Sequence, residues 1–321
     1  MKITHVISAQ FPVAAYGGTE RAAYWLGKAQ AEMGHEVSYL CRPGSEFAFA
    51  KAIPLPEQIS DITPLLPPGT DFVQFYSTPS YRCDAPYLVC IQGNGQAGEQ
   101  FLPNTVFVSA NHANRHGWTE FVHNGIDLED YPMDLGKKEL GALFLAKASW
   151  SVKNLKGSIR IAKAAGVPLH IAGGKAACWH RGVISHGMVG GQTKLDLIQK
   201  TEALLFPVIW NEPFGIAIIE VLACGAPVIA TPRGSLPEIV DSTCGVLADS
   251  FDGLVAGLMK RKKFDPEACR ARVENHFSHR KMAEKYLFYY EKIRRDGKLR
   301  DGNPATPKDA DPEKKIYYQD Y

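Results

Sequence analysis

The stretch 203–238, ALLFPVIWNEPFGIAIIEVLACGAPVIATPRGSLPE, constrains the fold of this chain more than any other. Ala203–Phe206 is a short apolar run, which is typical of a buried parallel strand. Ile216–Cys224 is apolar almost all round and predicts a buried helix, which Gly225 ends as a C-terminal cap. Val228–Ala230 is the next predicted strand. The stretch is therefore a strand–loop–helix–strand unit of a parallel sheet.

Two carboxylates interrupt this apolar unit. Glu212 lies in the loop before the helix, and Glu220 lies about 7 Å along the helix axis from Gly215, at about 1.5 Å per residue. The N–H groups of a helix that opens at Gly215 can bind a phosphate. A long polar ligand with a central diphosphate and hydroxylated ends, such as a sugar nucleotide, fits this order. The alternative is a structural helix whose Glu220 pairs with an Arg or Lys.

Composition limits the class of protein. The 321 residues are enough for two domains, and a formal net charge of +2 gives no reason to expect nucleic acid as a partner. No apolar run reaches the length of about 18 residues that a transmembrane helix needs, and the N-terminus lacks the apolar region of a signal peptide. The seven cysteines are odd in number and form no CxxC pair. We expect a cytoplasmic protein with reduced thiols.

The first residues predict one half of a nucleotide-binding fold. A strand at Ile3–Ser8 leads to the glycine pair Gly17-Gly18, then to a helix capped by Thr19, then to a strand at Glu36–Cys41. The glycine pair either contacts phosphate or makes a tight turn. Strands continue to alternate with helices in both halves of the chain. We therefore expect an α/β protein with two Rossmann-like parallel-sheet domains facing a cleft.

The segment WNEPFGIAIIEVLACGAPVIATPRGSLPEIV resembles the donor-binding segment of glycosyltransferase family 4. The hallmark of that family is a Glu, seven residues and a second Glu, which Glu212 and Glu220 match. Asn124-Gly125-Ile126-Asp127 resembles its N-G-[VI]-D signature at the interdomain junction. The resemblance runs from about Lys2 to about Tyr290. It implies that this chain is a retaining, metal-independent enzyme with the two-domain GT-B fold.

The resemblance also implies a division of the chain. Residues 1–135 are expected to form an acceptor-side Rossmann-like domain, and residues 136–280 a Rossmann-like domain that binds the donor nucleotide. A helix at 281–295 is expected to cross back to the first domain. Residues 296–321, rich in Lys, Asp and Pro, are expected to form a flexible polar tail.

The resemblance assigns roles to residues of the second domain. Glu212 would bind the donor sugar hydroxyls and Glu220 the ribose. Lys147 takes the place of a family Arg, and either Lys153 or Lys156 takes the place of a family Lys, both on the diphosphate. A solvated basic loop is the alternative for these lysines. The remaining expected donor contacts are Gly17, Gly18, Phe214, Gly215 and Ile216.

Two glutamines depart from the family pattern. Gln92, in CIQG, replaces a His that is thought to meet the sugar or acceptor, and Gln74, in DFVQFY, replaces a second His. Gln can donate and accept hydrogen bonds but takes no proton at neutral pH. Retaining transfer in this fold is usually viewed as front-face, with the leaving phosphate as the base, so Gln92 is compatible with activity and is counted among the catalytic candidates.

The remaining aromatic residues and the single metal-binding motif give only weak evidence about the site. Trp150 and Trp179 are candidates for stacking on a base or sugar, with packing as the alternative. The Asp-x-Asp motif that binds a metal in other transferases occurs only at Asp309-Ala310-Asp311, in the polar tail. We expect no metal and no cofactor beyond the nucleoside-diphosphate sugar itself.

The sequence thus predicts a retaining, metal-independent glycosyltransferase of the hexosyltransferase type. Its partners would be a nucleotide sugar donor and a saccharide, other small-molecule or lipid-linked acceptor, with no nucleic acid and with peripheral membrane contact left open. The alternatives are a non-catalytic sugar-nucleotide-binding protein of the same fold, or a hydrolase or epimerase that acts on the same donor. Nucleotide base, sugar and acceptor are not predicted.

Overall fold

The computed structural model describes residues 1–13, 17–95, 98–134, 136, 138–176 and 181–307. The chain divides into two compact units. The first contains Met1–Gly125 and the described residues 279–307, and the second contains Ile126–Ser278. Within these residues, no helix is both long enough and apolar enough to cross a membrane.

The first unit is built on a parallel sheet of six described strands in the order β3-β2-β1-β4-β5-β6. The strands are β1 (Lys2–Val6), β2 (Glu36–Cys41), β3 (Lys51–Pro54), β4 (Phe72–Phe75), β5 (Tyr87–Ile91) and β6 (Thr105–Phe107). The order changes direction at β1, from β1–β2–β3 on one side to β1–β4–β5–β6 on the other, as in nucleotide-binding folds. Helix α1 (Gly18–Glu32) connects β1 to β2, and helix α2 (Ala110–Arg115) follows β6.

The second unit repeats this plan, with six described parallel strands in the order β12-β11-β10-β7-β8-β9. Its strands are β7 (Ala142–Leu145), β8 (Leu169–Ala172), β9 (Val183–Ser185), β10 (Ala203–Phe206), β11 (Val228–Ala230) and β12 (Gly245–Leu247). Its helices are α3 (Leu155–Ala164), α4 (Gly191–Lys200), α5 (Ile216–Ala223), α6 (Leu236–Ile239), α7 (Phe251–Met259) and α8 (Pro266–His276). The predicted α/β class with two Rossmann-like parallel sheets is confirmed.

The last helix, α9 (His279–Asp296), belongs to the first unit, where it packs on α1 and β5. Its predicted apolar face is buried at Met282, Tyr286, Tyr289 and Ile293. The hydroxyl of Tyr290 also reaches the centre of the unit. Helix α9 is therefore part of the core of this unit.

A chain of buried hydrogen bonds joins α9 to the first sheet. Tyr76 Oη lies 2.7 Å from Nδ1 of His5, and Nε2 of His5 lies 2.7 Å from Oε1 of Gln30. Gln30 Nε2 donates to Tyr290 Oη (3.3 Å), which donates to Oε1 of Gln74 (2.8 Å). The amide oxygen of Gln30 can only accept, so Nε2 of His5 carries a proton. Burial lowers the pKa of His5 to about 4, so the imidazole is neutral at physiological pH. Gln74, the second departure from the family pattern, is thus held in the core of the unit.

Several local predictions need correction. Helix α1 begins at Gly18 after Gly17, and no side chain caps it, so Thr19 is not the cap. Helix α8 was not predicted, although Asp265 and Pro266 are a clear signal for the start of a helix. The carboxylate of Asp265 accepts from Glu267 N–H, and Pro266 is the first helical residue.

The boundary between the units lies between Gly125 and Ile126, whereas the sequence placed it after residue 135. Residues 126–134 join the second unit because Ile126 pairs with Ser278 and Tyr131 bonds to Glu220.

The expectation of a flexible polar tail is wrong for residues 297–307. Leu299 is 1% exposed, and its N–H donates to Oδ1 of Asn104. Ala305 exchanges two hydrogen bonds with His116, one through the backbone and one through Nδ1. The segment packs on the first unit because Leu299, Pro304 and Pro307 bury apolar surface. The average composition of the segment is polar and does not reveal these three residues. The rest of the predicted tail, with Asp309-Ala310-Asp311, lies outside the described residues, as does Trp179.

Candidate functional site

The candidate residues of the second unit lie in loops at one edge of its sheet. In a parallel sheet, the loops that follow neighbouring strands meet at the carboxyl edge, where open α/β sheets bind their ligands. Strand β10 pairs with β7 on one side and β11 on the other. Lys147 follows β7, Glu212 follows β10, and Gly234 follows β11. Adjacent strands therefore deliver the three loops of the candidate site.

Glu212 and Lys153 form a buried ion pair in this site. Lys153 Nζ lies 2.5 Å from Oε2 of Glu212, and both side chains are less than a tenth exposed. Trp210 Nε1 donates to the same Oε2 at 2.7 Å, and the Lys153 ammonium lies 4.6 Å from the centroid of the Trp210 ring. The carboxylate is thus held by one full charge and one N–H, while the cation is stabilised by an aromatic face.

The loop after β11 fixes the backbone of Glu212. Ser235 N–H donates to Glu212 O at 2.9 Å, and Ser235 Oγ donates to Phe214 O at 2.8 Å. Gly234 has φ +61°, and a Cβ there would come within 2.2 Å of Glu212 O and 2.4 Å of Glu212 N. Only glycine fits this position. The sequence motif P-R-G-S therefore holds the loop that carries Glu212 in one backbone conformation.

Glu220 lies on the buried helix α5, which opens at Gly215 as predicted. Gly215 has φ +88° and precedes the first helical residue, Ile216. Glu220 is 2% exposed, and its Oε1 lies 2.6 Å from Nζ of Lys194 and accepts from Tyr131 Oη at 2.6 Å. The Lys partner that the structural alternative required is present. A carboxylate that is oriented by these two donors can also hold a diol, so the ion pair does not decide between the two interpretations.

The loop after β7 supplies the other lysines. Lys147 is half-buried, and its Nζ lies 5.4 Å from the centroid of the Trp150 ring. Of the two candidates for the second lysine, Lys153 contacts Glu212, whereas Lys156 is exposed on α3. Gly173, after β8, packs so closely on this loop that a Cβ would lie 2.1 Å from Ala146 O. The geometry therefore favours Lys147 and Lys153 as the cations nearest the candidate ligand site.

The candidates of the first unit lie at the carboxyl edge of its own sheet. Gly17 and Gly18 open α1 after β1, and Gly18 is exposed. Gln92 follows β5 and makes a reciprocal amide pair with Asn124: Gln92 Nε2 donates to Oδ1 of Asn124 (3.2 Å), and Asn124 Nδ2 donates to Oε1 of Gln92 (2.9 Å). The amide of Gln92 is thereby held in one orientation, and its role toward a sugar stays a prediction.

A thiol lies directly beside Gln92. Gln92 Nε2 donates to Sγ of Cys90 at 3.3 Å. Burial raises the pKa of the Cys90 thiol to about 12, so it is neutral at physiological pH. Cys90 is therefore a structural neighbour of Gln92 without nucleophilic character.

Sequence reasoning assigned no role to four residues of the second unit, which are Trp210, Gly234, Lys194 and Tyr131. In the first unit it singled out Asn124 as part of a signature at the domain junction but did not identify it as the partner of Gln92. Trp210 stands two residues before Glu212, and a glycine after a strand end is a recognisable turn signal, so these two carry a local signal. Lys194 and Tyr131 are distant in sequence from Glu220 and have none.

Part of the second unit matches a known protein family. Residues 141–260, which contain all the candidates of the second unit except Tyr131, match the family described as glycosyl transferases group 1. A comparison with curated proteins found no match.

Solved structures share the fold. A glycosyltransferase involved in avilamycin A biosynthesis is 21% identical, with a TM-score of 0.79 over 92% of this chain and 98% of its own. Sucrose-phosphate synthase from Thermosynechococcus elongatus is 16% identical, with a TM-score of 0.67 over 91% and 98%. The Anabaena protein HepE, solved with UDP and glucose, is 13% identical, with a TM-score of 0.63 over 91% and 100%. These likenesses confirm the predicted GT-B fold.

Proposed function

We propose, from the match of residues 141–260 to the group 1 glycosyltransferases, that this chain transfers a sugar from a nucleoside-diphosphate sugar with retention of configuration and without a metal ion. The observation that carries the proposal is the buried ion pair between Lys153, on the loop after β7, and Glu212, on the loop that enters α5. Glu220 lies further along the chain on α5, which gives the spacing that a sugar, a diphosphate and a ribose require.

In this proposal, each group acts on one part of the donor. Glu212 accepts hydrogen bonds from the sugar hydroxyls, and Glu220 accepts them from the ribose. The N–H groups at Gly215 and Ile216 bind the diphosphate at the N-terminus of α5. Lys147 and Lys153 add positive charge, which stabilises the diphosphate more in the transition state than in the ground state because its negative charge grows as it leaves.

The proposed chemistry needs no protein base. The bond between the anomeric carbon and the leaving phosphate oxygen breaks, and the acceptor oxygen bonds to that carbon on the same face. The proton of the acceptor hydroxyl passes to a phosphate oxygen of the leaving group. Gln92, which has no basic nitrogen, is compatible with this route, and its amide would orient the sugar or the acceptor.

UDP is the first nucleotide to test. HepE was solved with UDP and glucose, and another structural neighbour, a pneumococcal O-GlcNAc transferase, with UDP and GlcNAc. A thermal-shift screen of UDP, GDP and ADP and their sugar conjugates would identify the base, since a ligand at 100 times its Kd adds about 2.7 kcal/mol of stability. The acceptor, which we propose to be a saccharide or a lipid-linked molecule, is then sought with the donor that binds.

The decisive experiment measures donor consumption with and without excess EDTA. We expect full activity in EDTA, because lysines and a helix N-terminus replace the metal. Lys147→Ala should lower turnover more than donor affinity, whereas the matched control Lys156→Ala, on the exposed face of α3, should change neither. Activity that EDTA abolishes and manganese or magnesium restores would contradict the metal-free mechanism.

Incubation with donor alone separates the alternatives. A transferase releases nucleotide slowly until acceptor is added. Binding without any release, with every acceptor class tried, would favour a sugar-nucleotide-binding protein. Rapid release without acceptor would favour a hydrolase.

A further inference from the structure

Two tryptophans form a corner beside the Glu212–Lys153 pair. The rings of Trp150 and Trp210 meet edge to face, with centroids 6.2 Å apart and an interplanar angle of 74°. Trp210 is half-buried, but Trp150 is 41% exposed. We call this pair the aromatic corner. The edge-to-face contact fixes the plane of the Trp150 ring and leaves part of its surface open to solvent.

The aromatic corner is continuous with one end of the candidate site. Trp210 Nε1 donates to Oε2 of Glu212, and the Lys153 ammonium lies over the Trp210 ring. The Lys147 ammonium lies 5.4 Å from the centroid of the Trp150 ring. Lys147 therefore borders the exposed indole of Trp150, and Lys153 and Glu212 border the indole of Trp210. The proposed function assigns these three charged groups to the diphosphate and the sugar.

The other end of the site has a different chemistry. Glu220, the proposed ribose ligand, lies further along the chain on α5 and bonds to Lys194 and Tyr131. Because Trp210 of the aromatic corner bonds to Glu212, the aromatic corner lies at the sugar end of the proposed ligand. A pyranose presents C–H groups on the face of its ring and hydroxyls on its rim, so it can pack on an indole while its rim reaches charged groups.

Resting on the proposed function, we infer that the exposed surface of Trp150 packs against the pyranose ring of the donor, and that Trp210 is a positioning residue that orients Glu212 toward the hydroxyls of the same ring. Trp150 then contributes to the affinity for the sugar and not to the affinity for the nucleotide. Trp210 acts through the position of the carboxylate.

The test compares a nucleotide with its sugar conjugate. Isothermal titration is done with UDP and UDP-glucose, and in parallel with GDP and GDP-mannose and with ADP and ADP-glucose, on wild type, Trp150→Ala and Trp150→Phe. For the pair that binds, we expect Trp150→Ala to weaken the sugar conjugate about tenfold and the free nucleotide less than about twofold, with Trp150→Phe in between. Ile184→Ala, which truncates another exposed apolar residue of the second unit, is the matched control and should change neither.

Fluorescence gives a second readout. The exposed Trp150 emits at long wavelength, so the sugar conjugate should shift the emission to shorter wavelength in wild type, and this shift should be absent in Trp150→Ala. Trp210→Phe keeps an aromatic side chain and removes the indole N–H that donates to Glu212. It should lower kcat with a smaller change in the Kd of the conjugate, whereas a purely packing role would leave kcat unchanged.

Three results would overturn the inference. Equal weakening of nucleotide and conjugate in Trp150→Ala would mean that the indole stacks on the base. Unchanged binding of both would mean that Trp150 does not contact the donor. If wild type binds none of the nucleotides or conjugates, the proposed function itself fails, and the inference fails with it; the first two results leave the proposed function intact.

Discussion

Lys153 Nζ lies 2.5 Å from Oε2 of Glu212, in a place where both side chains are less than a tenth exposed. A buried charge without a partner is costly, so each residue makes the other tolerable. In the proposed transfer, the pair also places a cation beside the carboxylate that we propose to bind the sugar. Under this proposal, stability and function depend on the same contact.

Breaking this pair should destabilise the second unit. We expect Lys153→Met or Glu212→Gln to lower the free energy of unfolding by about 3 kcal/mol each, and the double variant to lose clearly less than the sum. Urea denaturation measures all three. Arg82→Met, which breaks the exposed Arg82–Asp84 pair, is the control and should have no measurable effect. Strictly additive losses would show that the two side chains do not interact.

Replacing Glu220 should weaken nucleotide binding. We expect Glu220→Gln to reduce the affinity for UDP by about 1.5–3 kcal/mol, because a charged acceptor for the ribose hydroxyls is lost. Titration calorimetry measures the effect. Tyr131→Phe keeps the carboxylate and removes only one of its donors, so it should retain most of the affinity. A folded Glu220→Gln variant with wild-type affinity would leave Glu220 as a purely structural partner of Lys194.

Gln92 should affect turnover and not nucleotide affinity. We expect Gln92→Ala to lower kcat while the Kd for UDP stays nearly unchanged, because Gln92 is proposed to position the sugar or the acceptor. Asn124→Ala should act in the same direction, since Asn124 holds the amide of Gln92 in its orientation. Steady-state kinetics and calorimetry separate the two quantities. An equal loss of nucleotide affinity in Gln92→Ala would show that the residue has another role.

Acid should destabilise the first unit through His5. Burial lowers the pKa of His5 from 6.5 to about 4. Between pH 6.5 and about pH 4, His5 is protonated in the unfolded chain but stays neutral in the folded chain. The contribution of neutral His5 to the free energy of unfolding is therefore complete above pH 6.5 and is lost as the pH falls to about 4. The expected loss is about 3 kcal/mol over this range.

Denaturation as a function of pH measures this loss. His5→Gln, in which an amide replaces the titrating ring, should be less stable at pH 7 but should show a shallower decline below pH 6.5. The same slope in both proteins would contradict the assignment to His5.

Truncating Leu299 should destabilise the first unit. Leu299 is 1% exposed, and a Leu→Ala change at such a site costs about 2–4 kcal/mol. Thermal or urea unfolding tests this, with the exposed neighbour Lys298→Ala as the control. A Leu299→Ala variant as stable as wild type would show that residues 297–307 do not pack on the first unit and belong to the flexible tail that composition predicts.

Periodicity and family motif determined much of this protein from sequence alone. The apolar pattern predicted β10, α5 and β11 within one residue, and the face of α9 at Met282, Tyr286, Tyr289 and Ile293. Such patterns are encoded within a window of about 10 to 15 residues, where side-chain spacing alone decides which face is buried. The Glu212–Glu220 spacing and its place at a helix start were readable for the same reason.

Only the tertiary structure decided the partners. Lys153 and Lys156 look alike in sequence, yet one is buried against Glu212, 59 residues away, and the other faces solvent. Lys194 reaches Glu220 across 26 residues, and Leu299 meets Asn104 across 195. These contacts depend on strand order, which brings distant loops to one edge of a sheet, and no local pattern specifies that order. The charge pairs of the site are therefore a property of the folded chain, whereas its helices and strands follow from local sequence.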